Sequence, residues 1–268
     1  MTTISTQQMA ELETTARERT CRRLALHVEQ HFPGSARLAG PGATLATGHR
    51  CLAQADELGL DSEADLLRLL SLQLFFGHGF RSDSLCGAFA AILERTDIAT
   101  PRARVARAWR EGMAHFEHIA GAAGEHQRAA VGRLAGRHLF ALAADPSGLD
   151  GAQADTLMAW LWPQKHAAAR ALGTGALEAS LWQVAALARA HGVARPGAAR
   201  VLLVLGYVFG AGFGTDPMLP AFGGLAAALG AGADPRDAAA AMGRADGLLS
   251  RVAQGTPAGA TAMTEDAS

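Results

Sequence analysis

The amino-acid sequence predicts an all-α protein in which a module of roughly five helices occurs twice in tandem, as a helical bundle or solenoid-like arrangement with no β-sheet. Three observations support this prediction. Apolar residues recur at the three- and four-residue spacing of one helix face, whereas no useful length of chain alternates with the period of two that a strand requires. The chain also aligns with itself after a shift of 133 positions.

The self-alignment pairs residues 51–93 with residues 184–226 without a gap, and roughly thirteen of the 43 pairs are identical. A string of the form FGxGFxxD occurs in both copies. We expect its residues to be structural, with apolar anchors flanking a glycine turn and the Asp capping the next helix. The paired landmarks are Gly59, Phe76, Gly77, Gly79, Phe80 and Asp83 in the first copy, and Gly192, Phe209, Gly210, Gly212, Phe213 and Asp216 in the second.

Helix start and stop signals define the first two helices of each copy. Ser5 or Thr6 is expected to cap a first helix that ends at Pro33-Gly34. Its counterpart is expected from about Asp155 to Trp162, stopping at Pro163. A second helix precedes Gly59 and Gly192, where glycine suits a left-handed C-terminal cap. The apolar face of the first helix comprises Met9, Leu12, Ala16, Leu24 and Val28.

Three further helices are expected in each copy. The third begins at Ser62, with Asp65 three residues later, and at Pro196 in the second copy. It ends at the FGxGF string, after which Asp83 and Asp216 are natural N-caps for a fourth helix. A fifth starts from a capping residue followed by proline, at Thr100-Pro101 and Asp234-Pro235.

These boundaries divide the chain into a first module at residues 1–121, a connecting helix and linker at 122–150, a second module at 151–252, and a disordered tail at 253–268. Within the connection, residues 122–144 are expected to be helical. Asp145-Pro146-Ser147-Gly148 is expected to be the linker.

Composition excludes several classes of function. The formal net charge is −1 with both signs interspersed, so no nucleic-acid-binding stripe is indicated. The N-terminus is polar and acidic rather than basic and apolar, which predicts cytoplasmic residence. Three cysteines without a CxxC pair predict buried, reduced thiols; they are Cys21, Cys51 and Cys86.

One segment resembles a membrane span, since Val201 to Phe213 is almost wholly apolar. Its 13 residues are too few for a bilayer, which needs about 17 to 25. Its aligned copy carries Arg68, Gln73 and His78, which a lipid-facing helix should lack. A buried core helix is the better interpretation, and we expect no membrane span.

Histidines are the residues that best suggest catalysis. Glu111, His115 and His118 lie four and three residues apart, which places three possible metal ligands along one helix face, and Glu125 and His126 follow. Because no clean ExxH pair is present, solvated histidines are the preferred interpretation, and a metal-dependent helical enzyme is the alternative. We predict no enzyme and no cofactor.

The glycine-rich strings also allow a phosphate loop, but they lack its Lys or Ser/Thr and the preceding strand. The four tryptophans are usually core residues at such spacing, although tryptophan also anchors protein interfaces. The possible interface residues are Trp109, Trp160, Trp162 and Trp182.

The order of an Ala-rich helix, Leu58-Gly59-Leu60, a Leu-rich helix and then Phe76-Gly77-x-Gly79-Phe80-x-x-Asp83 resembles a family of bacterial proteins. Their genes lie beside type VI secretion spike, adaptor and lipase-type effector genes. The resemblance covers about residues 5–95 and is echoed in 157–226. It implies an accessory role around a secreted toxin, as adaptor, chaperone or immunity protein, and no catalytic residue.

Together these observations predict a cytoplasmic, non-catalytic protein that binds a secretion effector, or a spike or adaptor component. The expected binding surface lies between or across the two modules, since tandem helical modules often present extended grooves.

Overall fold

The computed structural model describes residues 5–145 and 150–255, and these residues form fourteen α-helices and no β-strand. The predicted all-α fold is therefore confirmed. The first half contains α1 Thr6–His31, α2 Pro33–Ala39, α3 Ala43–Leu58, α4 Glu63–Phe76, α5 Gly87–Ala90 and α6 Pro101–Ala120. Two connecting helices follow, α7 Glu125–Arg137 and α8 Leu139–Ala144. The second half contains α9 Gly151–Leu161, α10 Pro163–Ala171, α11 Thr174–Ala190, α12 Pro196–Phe209, α13 Leu225–Ala228 and α14 Pro235–Gly255.

Side-chain caps fix several helix starts where the sequence predicts them. Ser5 forms a reciprocal capping box with Gln8 at the start of α1. Ser62 Oγ accepts a hydrogen bond from the Asp65 N–H at 3.2 Å at the start of α4. Thr100 caps α6 in the same way, ahead of Pro101. Each cap satisfies an N–H group that the helix leaves unpaired.

The third helices of the two halves, α4 and α12, begin and end at positions one 133-residue shift apart. Gly59 and Gly192, which follow the second helices, both have left-handed backbone with φ of 68° and 64°. Duplication over the rest of the chain stays a prediction.

The first and fourth helices differ from expectation. Only the C-terminal half of α1 packs on α3, so Met9 and Leu12 of the predicted apolar face are 47% and 58% exposed.

The fourth helix of each half is replaced by short pieces. In the first half, 3-10 turns at Ser84–Cys86 and Ala91–Glu94 flank α5, and in the second, turns at Phe213–Thr215 and Pro220–Phe222 precede α13. Closely spaced glycines and Pro220 prevent a longer helix there.

The connecting region is two helices rather than one, because the chain turns sharply at His138, whose φ is 52°. The N–H of Leu139, at the start of α8, donates to Asp246 Oδ1 in α14 at 2.9 Å. α7 packs against α14, and α8 packs against α12. The connection is thus part of the second half's packing.

The predicted linker at residues 146–148 and the predicted tail beyond residue 255 lie outside the described residues. Helix α14 runs three residues past the predicted end of the second module.

The core is continuous through both halves. Residues 201–208 of α12 are all buried, so the apolar segment at Val201 is a core helix as predicted. No helix within the described ranges is both long and apolar enough to cross a bilayer. Cys21, Cys51 and Cys86 are buried free thiols.

Candidate functional site

The two FGxGFxxD strings meet at the centre of the molecule, where α4 and α12 end. A Cβ atom on Gly210 would lie 2.3 Å from the Phe76 carbonyl oxygen, and one on Gly77 would lie 2.8 Å from the Phe209 oxygen. Both glycines also have positive φ, 83° for Gly77 and 88° for Gly210. Glycine is required at both positions because the two backbones touch.

The aspartate of each string forms a hydrogen bond with the other half of the chain. Asp216 Oδ2 accepts a hydrogen bond from the His78 N–H at 3.3 Å, and Asp83 Oδ2 accepts one from the Ala211 N–H at 3.2 Å. Each aspartate also caps its own following turn through Oδ1, which accepts from Leu85 N–H and Met218 N–H, respectively. The aspartates thus cap short turns and not the fourth helices that were expected, and the contact across the halves was not anticipated. Phe80 and Phe213 are buried in the core.

A cleft of about 270 Å³ opens beside this junction, between the two halves. Its walls are largely apolar and come from α2, α3 and α4 on one side, and from residues 216–219 and α14 on the other, with α7 between them. Three rings form a continuous wall, with centroids 5.7 Å apart for Phe32 and Phe75 and 4.5 Å apart for Phe75 and Phe116. The cleft is a concave apolar surface of the kind that binding sites use.

A chain of amide groups leaves one hydrogen-bond acceptor unpaired at this cleft. Gln54 Nε2 donates to the His78 carbonyl oxygen at 3.0 Å, so Gln54 Oε1 is free to accept from Gln73 Nε2, also at 3.0 Å. Because the His78 carbonyl can only accept, it fixes the orientation of both amides. Gln73 lines the cleft and is only 3% exposed, and its Oε1 has no partner among the described residues.

His78 and Asp216 form the polar edge of the cleft beside the junction. His78 Nδ1 lies 3.3 Å from Asp216 Oδ2 but in a direction that makes no hydrogen bond, and His78 Nε2 lies 3.2 Å from Thr215 Oγ1. Asp216 is 8% exposed, and both of its oxygens already accept backbone N–H groups. Its carboxylate is therefore held in place by the fold.

Two arginines bring positive charge to the cleft. Arg50 in α3 is half-buried, and it forms no ion pair or hydrogen bond within residues 5–145 and 150–255. Arg128 in α7 is exposed and donates to the Ala123 carbonyl oxygen. A carboxylate that entered the cleft would find a cation there.

A much smaller chamber, of about 20 Å³, lies on the other side of the junction. Lys165, the only lysine of the chain, reaches it from α10 and donates from Nζ to the Tyr207 carbonyl oxygen at 2.6 Å. Burial lowers the pKa of Lys165, although the nearby Asp83 charge opposes that shift. Burial also raises the pKa of Cys86 well above its usual value, so this thiol is not activated as a nucleophile.

The possible metal ligands of the alternative interpretation do not converge. His115 packs beside the rings of Phe76 and Phe89, whereas Glu111 and His118 are exposed on α6. Burial, reinforced by the charges of Lys165 and His118, lowers the pKa of His115 to about 4. Over the described part of the chain, no three His, Cys, Asp or Glu side chains are grouped so that they could hold a metal ion. The geometry therefore gives the metal-enzyme alternative no support.

The tryptophans occupy different environments. Trp162 is only 2% exposed and donates from Nε1 to the Ile119 carbonyl oxygen at 2.7 Å, so it is a core residue and not part of an interface. Trp109 is half-buried against the core. Trp160 and Trp182 are accessible at the surface, 38% and 66% exposed.

Gly77, Phe209 and Asp216 of the repeated strings line the cleft, but the sequence did not indicate that they border a binding surface. The polar Gln73 in the Leu-rich α4 indicated only that this helix does not face lipid. Arg50 carried no signal, because an arginine on a helix is ordinarily solvated.

Comparison of the chain with protein families, curated proteins and solved structures finds no match.

Proposed function

We propose that this protein is a non-catalytic binding protein that holds a segment of a partner protein in the cleft between its two halves. The observation that carries the proposal is the composition of the cleft. Its walls are apolar, one deeply buried acceptor, Gln73 Oε1, lacks a donor among the described residues, and the half-buried Arg50 lacks a carboxylate there. Buried polar groups are normally paired, so such a cleft favours an occupant that supplies both partners.

The size of the cleft favours one or two side chains of a protein segment. Pockets for drug-sized ligands span roughly 300–1,000 Å³, and this cleft holds about 270 Å³. Protein grooves commonly take a few anchor side chains from a helix or extended segment. Residues of both halves form the walls, which agrees with a surface between or across the modules.

The partner that we propose is a type VI secretion effector, or a spike or adaptor component, met in the cytoplasm. This part of the proposal rests on the resemblance of the FGxGFxxD elements and their neighbouring helices. The proposal covers two accessory roles. One is that of a loading adaptor or chaperone, and the other is that of an immunity protein.

The direct test measures by calorimetry whether the purified protein binds the product of each adjacent gene. The measurement is made with the unaltered protein and with a variant whose cleft is filled by a larger side chain. Ser35→Trp places a large side chain at the rim of the cleft, where Ser35 is small and exposed. Arg37→Trp is the matched control, since Arg37 is exposed on the same helix and lies outside the cleft. We expect Ser35→Trp to abolish binding and Arg37→Trp to preserve it. Equal binding by the two variants would refute the cleft as the binding site.

Gene deletion separates the two accessory roles. If the protein is an immunity protein, deletion of its gene should poison sister cells. If it is an adaptor, deletion should stop toxin delivery without self-intoxication. Deletion without either phenotype would contradict the secretion role while leaving the calorimetric test of the cleft intact.

A further inference from the structure

The polar groups of the cleft specify the side chains that it takes. We propose that the bound segment presents a tryptophan or tyrosine whose N–H or O–H donates to Gln73 Oε1, with an adjacent acidic residue whose carboxylate pairs with Arg50. This inference rests on the proposed function, and it names the chemistry of the partner at that same site.

The walls suit an aromatic anchor. The rings of Phe32, Phe75 and Phe116 follow one another along one side, at separations typical of favourable edge and tilted contacts. Met218 and Leu248 lie among the residues of the opposite half that line the cleft. Tryptophan and tyrosine each bury about 150–250 Å² and anchor many protein interfaces.

The buried amide selects for a polar tip on that anchor. Gln73 Nε2 is already used by Gln54, and the Gln73 Oε1 atom can only accept. A leucine or phenylalanine anchor would leave this oxygen without a partner inside an apolar cleft, which opposes binding. The indole N–H of tryptophan lies on the edge of an apolar ring system, and the hydroxyl of tyrosine lies at the end of one, so each can donate to a buried acceptor while the ring fills the cleft.

The charges select for an acid beside the anchor. Arg50 is half-buried and has no carboxylate partner among the described residues, and Arg128 adds a second cation. Among the described residues, Asp216 is the one carboxylate that lines the cleft, and it already accepts two backbone N–H groups. The guanidinium of Arg50 is therefore available for a carboxylate of the partner, which it can bind with two hydrogen bonds.

The chain's own sequence supplies a control peptide. Residues 256–268 contain Met263 followed closely by Glu265 and Asp266, but no tryptophan or tyrosine. This segment offers the acids and an apolar side chain without the donor. If it were the natural occupant, a peptide of this sequence would bind as tightly as one with an aromatic donor.

The test uses fluorescein-labelled, end-capped peptides with a central Trp-Asp-Glu sequence and the full-length protein, with binding followed by anisotropy. A second peptide carries benzothienylalanine, which keeps the shape of tryptophan but lacks the N–H. A third carries Asn-Gln in place of Asp-Glu. Protein variants are Gln73→Leu, with Gln73→Met as a second choice of similar shape, and Arg50→Gln. Thermal unfolding verifies that each variant is folded.

We expect loss of the indole N–H to weaken binding to the unaltered protein by about tenfold. The same loss should not change the affinity of the Gln73→Leu and Gln73→Met variants for the peptide. Replacing the acids should weaken binding several-fold at low salt and have no effect on Arg50→Gln. Any of three results would overturn the inference. The first is no binding of the Trp-Asp-Glu peptide. The other two are that the benzothienylalanine peptide or the 256–268 peptide binds the unaltered protein as tightly as the Trp-Asp-Glu peptide does. If Ser35→Trp alone blocks the partner protein while the Gln73 and Arg50 variants bind it normally, the proposed function stands and this inference fails.

Discussion

Asp83 and Asp216 each stabilise a loop of the opposite half of the chain: Asp83 accepts a hydrogen bond from the Ala211 N–H, and Asp216 accepts one from the His78 N–H. The donors and acceptors are related by the same shift of 133 residues, as are Gly77 and Gly210, whose backbones touch the helix ends across the junction. The two strings therefore form one reciprocal joint. That joint also positions His78 and Asp216 at the edge of the cleft.

Removing one crossing aspartate should destabilise the whole fold. Asp216→Ala leaves the N–H groups of His78 and Met218 without their acceptor, and we expect a loss of about 2 kcal/mol in the free energy of unfolding. Urea denaturation measures this change. Asp61→Ala is the control, since Asp61 is exposed and makes no contact of this kind among the described residues. Equal stability of the two variants would show that the crossing contact contributes nothing.

The close approach of the two backbones predicts opposite effects of two glycine substitutions. Gly210→Ala should cost more than about 3 kcal/mol, because its φ is 88° and the new Cβ would lie 2.3 Å from the Phe76 carbonyl oxygen. Gly243→Ala should stabilise by about 0.5–1 kcal/mol, because Gly243 lies exposed within α14 with open space around its Cα. Thermal and urea unfolding of both variants test the pair. A mild effect of Gly210→Ala would mean that the backbones do not touch.

His115 should make the protein sensitive to acid. Burial lowers the pKa of His115 in the folded state to about 4, from 6.5 in the unfolded chain. Between these values the unfolded state binds more protons, so stability falls as the pH drops from 6.5 towards 4. Above pH 6.5 both states are neutral at this residue, and it contributes no pH dependence.

His115→Gln should therefore flatten the fall in stability between pH 6.5 and 4, even if it lowers stability at pH 7. His118→Gln, on the exposed face of the same helix, is the matched control. Unfolding free energies across this pH range provide the readout. Unchanged acid dependence in His115→Gln would contradict the burial of this imidazole.

The single lysine gives a site-specific probe of the interior. A lowered pKa raises the fraction of neutral, reactive Lys165 amine, but its burial blocks access by a reagent. We expect burial to dominate, so an amine-reactive reagent should modify Lys165 only in denaturant, as followed by mass spectrometry. Equally fast modification of Lys165 in native and denatured protein would contradict the packing of α10.

The sequence predicted the helices and turns best where local chemistry decides the structure. Ser5, Ser62 and Thr100 cap helices, and Gly59 and Gly192 terminate them, because these roles depend on a few neighbouring residues. The exposure of Met9 and Leu12 was missed, because helix periodicity identifies an apolar face but not how far a neighbouring helix extends along it.

The site depends on contacts that are distant in sequence. Gln73, Arg50 and Met218 line one cleft because the joint brings the two halves together, and no local pattern encodes that meeting. The sequence predicts a structural role for the FGxGFxxD strings within each copy, whereas their glycines and aspartates also make contacts between the copies. Trp162, one of the four possible interface residues, lies in the core, and spacing alone does not distinguish a core tryptophan from an exposed one.

Hydrogen–deuterium exchange of the protein, with and without its bound partner, locates the binding surface. If the partner lies in the cleft, exchange slows together in residues 32–38, 123–128 and 216–219, which border the cleft from both halves and the connection. Slower exchange confined to α9 and α11, which carry the exposed Trp160 and Trp182, would contradict binding in the cleft and place the binding surface on the outside of the second half.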